Sequence, residues 1–318
     1  MSPPAFFLTR KQIAMSSSFI TQPVISQPDI SQADLSNTVS AATSVTNYAQ
    51  ATVTAVPRIA QPPSWYAPIA THLQTAQAHA QNWISNICPA VSNNIPQSIV
   101  DFNSTFSDDC QILLITLQAI NNEPQSCPTA AQKSTVNSYL NAILTNVKHQ
   151  QDVVNAAQKA VTTYASELNT DQATLAADLN TVASKFTSGQ SSVSEMQATI
   201  GETFLDNSTL GPCNVIVNIN MNISFKVASL NLDPTIITTV YAQAILENQV
   251  GDTQAAQRAV QTIVDAWGIM QQKYSAVISD LNDVADDEYA AMLSQLDLQT
   301  AQQQWQQLSD YAQTLISQ

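Results

Sequence analysis

The sequence predicts a mainly α protein: an elongated long-helix bundle, the tail, topped by a small α/β head that carries a β-tongue. Three observations predict it. Two long segments repeat apolar residues every seven positions, proline is absent from both, and between them lies a ribbon whose apolar residues alternate. The chain of 318 residues is long enough for two average domains or one elongated one with a real core.

Residues 1–30 are rich in Pro, Ser and Gln and read as a mobile N-terminal arm. Helical pieces follow over about 32–56, 67–87 and 97–121, punctuated by Pro57, Pro62, Pro63, Pro68, Pro89, Pro96, Pro124 and Pro128. The first rod then carries Leu140, Val147, Val154, Val161, Leu168, Leu175 and Val182, with Ala157, Tyr164, Leu179 and Phe186 near the complementary seam. That spacing belongs to a helix packed lengthwise on other helices. Over residues 135–186 it would run roughly 75 to 80 Å.

Next come a short helix over about 192–207, punctuation at Gly211 and Pro212, and the ribbon "CNVIVNINMNISFKV". In it Val215, Val217, Ile219, Met221, Ile223, Phe225 and Val227 share one face, the mark of a strand with one apolar side. A single strand of that length would span about 43 Å, so a hairpin reversing near 218–222 is expected. Pro234 opens the second rod in the favoured first-turn position. There Met270, Val277, Val284, Ala291, Leu298, Trp305 and Ala312 step by seven, flanked by Trp267, Tyr274, Leu281, Leu308 and Leu315. The expected division is therefore an arm (1–30), a helical tail (31–186 and 240–318) and a head with the tongue (187–239).

Composition narrows the function. Twenty-four acids against 10 bases give a net charge of −14, which argues against nucleic acid as a partner. It also disfavours electrostatic adsorption to anionic lipid, so membrane contact would have to be hydrophobic. The acids after Lys273 (Asp280, Asp283, Asp286, Asp287, Glu288, Asp297 and Asp310) read as a solvated helix face, without the glycine and ligand spacing of an EF-hand. No run of about 18 apolar residues marks a conventional transmembrane helix, and "ILLITL" at 112–117 reads as buried core. The first residues lack the form of a secretory signal, and Met15 is a second candidate start. Cys88, Cys110, Cys127 and Cys213 are too far apart for a zinc motif; one disulfide and free buried thiols are both open. His72, His79 and His149 read as ordinary helix residues. With no G-x-S-x-G, H-E-x-x-H or glycine-rich phosphate loop, the expectation is a non-enzyme with no catalytic residue, metal or cofactor.

Seven apolar side chains left in water would forfeit on the order of 10 to 20 kcal/mol, comparable with the net stability of a whole domain. The ribbon must therefore be covered by its own head, by another subunit or by lipid.

"HAQNWISNICPAVSNNIPQSIVDFNSTF" (79–106) resembles a block of the haemolysin BL and non-haemolytic enterotoxin family of α-helical pore-forming toxins. "AQQQWQQLSDYAQTLIS" (301–317) is similar to that family's last helix, and "WGIMQQKYSAVISDL" (267–281) to the part before it. The family includes cytolysin A-like toxins and the motility-associated killing factors of vibrios. The resemblance implies a bundle with a β-tongue head, released as a soluble monomer, and a secreted toxin component exported by a non-standard route. On activation the tongue would leave its cover for the host membrane, alongside related toxin subunits. It makes Val215, Val217, Ile219, Met221, Ile223, Phe225 and Val227 the expected contacts with lipid or partner. One departure is the row Asn214, Asn218, Asn220, Asn222, Ser224 and Lys226, which interleaves the apolar face. Either this is an accessory component whose tongue docks on a partner, or the ribbon is a shallow anchor. A hairpin arm of about 6 or 7 residues is short of the roughly 9 to 11 of a spanning strand, which favours a component. The alternative is a non-lytic interaction protein with a fixed hairpin.

Overall fold

The computed structural model describes residues 27–54, 59, 62–123, 127–185 and 234–317, and every regular element among them is helical. They are α1 (Gln32–Thr54), α2 (Ala67–Asn82), α3 (Ile95–Asn121), α4 (Ala130–Lys185), α5 (Pro234–Asp283), α6 (Asp286–Ser294) and α7 (Leu298–Ile316). The expected tongue at 215–227 and nearly all of the expected head lie outside the described residues.

The helices form four parallel columns. Helix α4, 56 residues long, is a rod of about 84 Å. Its seven-residue seam is the core: Leu140, Val147, Val154, Val161, Leu168, Leu175 and Val182 are each at most 1% exposed. Its start is fixed by a reciprocal cap in which the Gln132 backbone N–H donates to Thr129 Oγ1 (3.2 Å) and the Thr129 N–H to Gln132 Oε1 (2.7 Å). Helix α5 runs antiparallel beside it, joined by Gln158 to Gln261 (3.0 Å) and Asn137 to Asn282 (2.7 Å).

The third column is α2 and α3 joined end to end. Pro89 and Pro96 were expected to separate helices, yet the chain stays helical from 67 to 121. Proline lacks an N–H and crowds the preceding turn. Here the backbone absorbs that by widening into two π-helical turns, Trp83–Ile87 and Ala90–Asn94. Pro96 falls directly after the second of these turns, at the start of α3.

The fourth column holds α1 and α7, the later turns of α7 overlapping the start of α1. Helix α1 begins with a second reciprocal cap, Ser31 with Asp34, and its entry is tied to α5 by Lys273 Nζ to Asp29 (2.7 Å). Helix α7 lies on α3 through Asn103 to Gln306 (3.1 Å) and Gln302 to Ser107 (2.7 Å). The two helices meet where Ile30 and Leu308 line one surface cleft.

The second rod differs from its expected form. Val284 and Ala291 keep the seven-residue period, but α5 stops at Asp283 and the chain turns back through α6 into α7. Ala291 is exposed, and Tyr289, Ala290 and Leu293 fill the core instead. The reversal ends at Asp297, the one non-glycine residue among those described with positive φ (47°), whose carboxylate accepts from the Thr300 N–H at 3.4 Å. Asp and Asn tolerate this left-handed state best among residues with a side chain. The acids at 286–288 sit in the first turn of α6, where the helix dipole favours negative charge.

Candidate functional site

The two ends of the bundle differ in chemistry. Toward the base, about 24 Å short of the turn from α5 into α6, Phe102, Phe106, Trp267 and Trp305 pack ring on ring with centroids 4.5 to 6.0 Å apart. At the apex, where α4 ends and α5 begins, polar contacts between columns join the apolar core of Leu73, Leu179, Val182 and Ile245.

The apex is built around the start of α5, "TIITTVYAQAIL" (235–246), which has no charged residue. All but Ile237 of these twelve are buried. A surface helix buries one stripe; this segment is buried around its circumference. Thr239 donates to the Thr235 carbonyl (2.8 Å) and meets the Tyr66 hydroxyl at 3.3 Å. Further along, Gln249 Nε2 donates to the Tyr164 hydroxyl of α4. Trp83 packs on the same Tyr164 ring at 4.9 Å and donates its indole N–H to Thr46 Oγ1 (2.9 Å), tying α2 to α1 and α4.

Two histidine–carboxylate rungs complete the apex. His72 Nδ1 lies 2.8 Å from Asp178, and His79 Nδ1 lies 2.7 Å from Asp171. Both pairs are seven residues apart on their helices, so they fall on matching faces of α2 and α4. Burial raises the Asp171 carboxyl above its usual value, and the His79 bond and charge oppose that in part. Burial, then Asp171, pushes the Tyr164 phenol far up, the Gln249 bond working against it. Tyr241 is pushed up to about 12 by burial. Burial raises Asp252, and burial followed by Asp252 raises Tyr48 on α1. These phenols stay protonated at neutral pH, and so act as hydrogen-bonding groups of the seam.

The expected contacts Val215, Val217, Ile219, Met221, Ile223, Phe225 and Val227 lie outside the described residues. What the structure adds is the apex that flanks them in sequence. His72 and His79, read from sequence as ordinary helix residues, are its cross-links. Their shared spacing with Asp171 and Asp178 was the available signal. Of the cysteines described, Cys110 is a free, buried thiol and Cys88 is disulfide-bonded. Among the described residues no three His, Cys, Asp or Glu side chains gather as a metal site, and no helix is long and apolar enough to cross a membrane.

Residues 25–206 match the model of the family described as Bacillus haemolytic enterotoxin (HBL). Among curated proteins no sequence matches the chain. Among solved structures, the HblL1 toxin component of Bacillus cereus is similar with a TM-score of 0.69 at 14% identity, covering 92% of this chain and 97% of that one. Soluble SmhA of the tripartite alpha-pore forming toxin Smh from Serratia marcescens gives 0.65 at 10% identity, covering 92% and 95%. The cytotoxin MakB from Vibrio cholerae gives 0.65 at 12%, covering 93% and 94%. At these identities the likeness to each structure is one of fold.

Proposed function

We propose, because the chain belongs to the Bacillus haemolytic enterotoxin (HBL) family, that it is a pore-forming toxin component working with related subunits at a target membrane. The observation that carries this reading is the family match over 25–206, which runs from α1 through α4. SmhA, similar to this chain over nearly its whole length, is one part of a tripartite toxin, which supports action with partner subunits. The protein is released in soluble form, with its apolar surface covered, and acts at the host membrane. The domain plan is a helical tail and a head at 187–239 with the β-tongue, reached through the uncharged apex of α5. The tongue residues from Val215 to Val227 are the membrane or partner contacts. The energy for docking is the burial of apolar surface, on the order of 1.5 to 3 kcal/mol per large side chain, and no bond is made or broken.

The test is dye release and flotation with phosphatidylcholine vesicles, using the purified chain alone and with the products of neighbouring genes. Ile219→Asp combined with Phe225→Asp is expected to leave the helical content intact and to abolish binding. Binding and release unchanged by the pair of substitutions in the complete system would remove the tongue from the reading. A complete system that neither binds nor permeabilises vesicles or cells would remove the toxin reading itself.

A further inference from the structure

The connection between α1 and α2 brings an apolar turn to the apex. Residues 59–71, "IAQPPSWYAPIAT", hold no charged side chain, and Pro62, Pro63, Ser64, Ala67 and Pro68 are exposed beside a half-buried Trp65. Apolar residues exposed singly are ordinary, whereas a group of them marks a surface that meets something other than water.

The turn is held from below. Tyr66 is buried, packs edge-on against Trp65 with centroids 5.7 Å apart, and meets Thr239 Oγ1 of α5 at 3.3 Å. The Lys185 ammonium, in the last turn of α4, lies 5.9 Å from the centre of the Trp65 ring. These two side chains continue the ladder between α2 and α4: positions 65, 72 and 79 step by seven on one side, and 171, 178 and 185 on the other. Among the described residues, Trp65 with Lys185 is its outermost rung.

The chemistry of that rung differs from the two below it. An indole with an ammonium beside it suits a membrane–water boundary, where the ring lies among the ester groups and lysine reaches toward phosphate. The backbone suits the same place. Pro62, Pro63 and Pro68 have no N–H to strip of water, and the N–H groups of Tyr66 and Ala67 already donate to the carbonyls of Pro63 (2.9 Å) and Ser64. Entry into lipid therefore leaves little polar backbone unpaired. A protein partner fits less well, since a turn this rich in proline offers no row of N–H groups for strand addition. One ammonium in a chain of net charge −14 points to zwitterionic lipid met through apolar contact.

We infer that this turn is a membrane contact separate from the tongue, with Trp65 seated at the headgroup boundary of a phosphatidylcholine bilayer and Lys185 beside the lipid phosphates. The inference rests on the membrane-acting reading above and gives it a second anchor, built on the bundle.

The test reads tryptophan emission from the full chain and its neighbouring toxin subunits on phosphatidylcholine vesicles, plain or brominated near the headgroup end of the acyl chains. Trp83, Trp267 and Trp305 are each at most 1% exposed, so Trp65 is the tryptophan of this chain that lipid can reach in the folded form. Bromine is expected to quench the native emission, and Trp65→Phe to remove the part of that quenching this chain contributes. Trp65→Ala is expected to weaken vesicle binding by roughly fivefold. Helical circular dichroism of the soluble forms checks folding; should Trp65→Phe fail there, Lys185→Glu, which keeps every ring, is expected to lower the quenching instead. Vesicle-bound chain with quenching unchanged by the folded variant overturns the assignment and leaves the tongue untouched. A Trp65 emission that shifts to the blue only when partner subunits are added, without bromine quenching, places the turn against protein and overturns it too. A complete native system that binds no vesicles overturns the membrane-acting reading, and this inference with it.

Discussion

Trp305 of α7 meets Phe102 at 4.5 Å, Trp267 at 5.8 Å and Phe106 at 6.0 Å between ring centroids, and it is 1% exposed. One side chain therefore joins α3, α5 and α7. Removing a buried ring of this size leaves a cavity whose lining cannot fully collapse. Trp305→Ala is expected to cost about 3–5 kcal/mol in urea-induced unfolding. A loss under 1 kcal/mol would show that the base is not held by this cluster. Among the described residues the apex has no such four-ring cluster; Leu73, Leu175, Val182 and Ile245 carry the core there, with hydroxyls, amides and imidazoles adding about 1 kcal/mol each.

Helix α2 shows what that difference means for an element. It is held on α4 by His72 and His79, whose side chains are 39% and 28% exposed against Asp partners at 11% and 8%. Exposure keeps each rung's own contribution small, but deleting the histidines strands two nearly buried carboxylates. His72→Ala with His79→Ala is expected to speed hydrogen exchange across 68–82 while leaving the base of α5 protected. Unchanged exchange in α2 would show that its apolar stripe suffices. Much at this scale was legible in the sequence. The α4 seam was visible because every seventh residue is apolar from Leu140 to Val182, and the ends of the shorter helices fall close to their punctuation. Three features were not. Pro89 and Pro96 announce breaks, and only the backbone shows them absorbed by π turns. Val284 and Ala291 keep the period through a bend, because a heptad reports which face is apolar and not whether the chain has reversed. The rungs join residues 106 and 92 positions apart, a pairing that neither helix encodes by itself. For the candidate site, the uncharged stretch at 235–246 was on view as composition, but burial on both faces is a property of the assembled columns.

For the molecule as a whole, charge sets the response to pH. Burial raises the carboxyls of Asp171 and Asp252; it also raises Asp109, which Asp108 pushes further. A carboxyl whose folded value lies above its unfolded one binds its proton more tightly in the folded state. Stability therefore rises as pH falls from neutral through the raised values, and the gain is complete below the unfolded value of about 3.9. Fewer ionised acids also relieve the self-repulsion of a chain with net charge −14. The urea midpoint is expected to rise as pH is lowered from neutral toward the unfolded value of about 3.9, with Asp171→Asn reducing the difference. A lower midpoint in acid would contradict this.

The overlap of α1 with α7 has a further consequence. The later turns of α7 run on past the start of α1, where Ile30 and Leu308 line one cleft, and Lys273 to Asp29 fastens the same level to α5. Two stretches far apart in sequence are thus spliced like planks in a lap joint, which keeps the lower end of the molecule fastened if α1 loosens higher up.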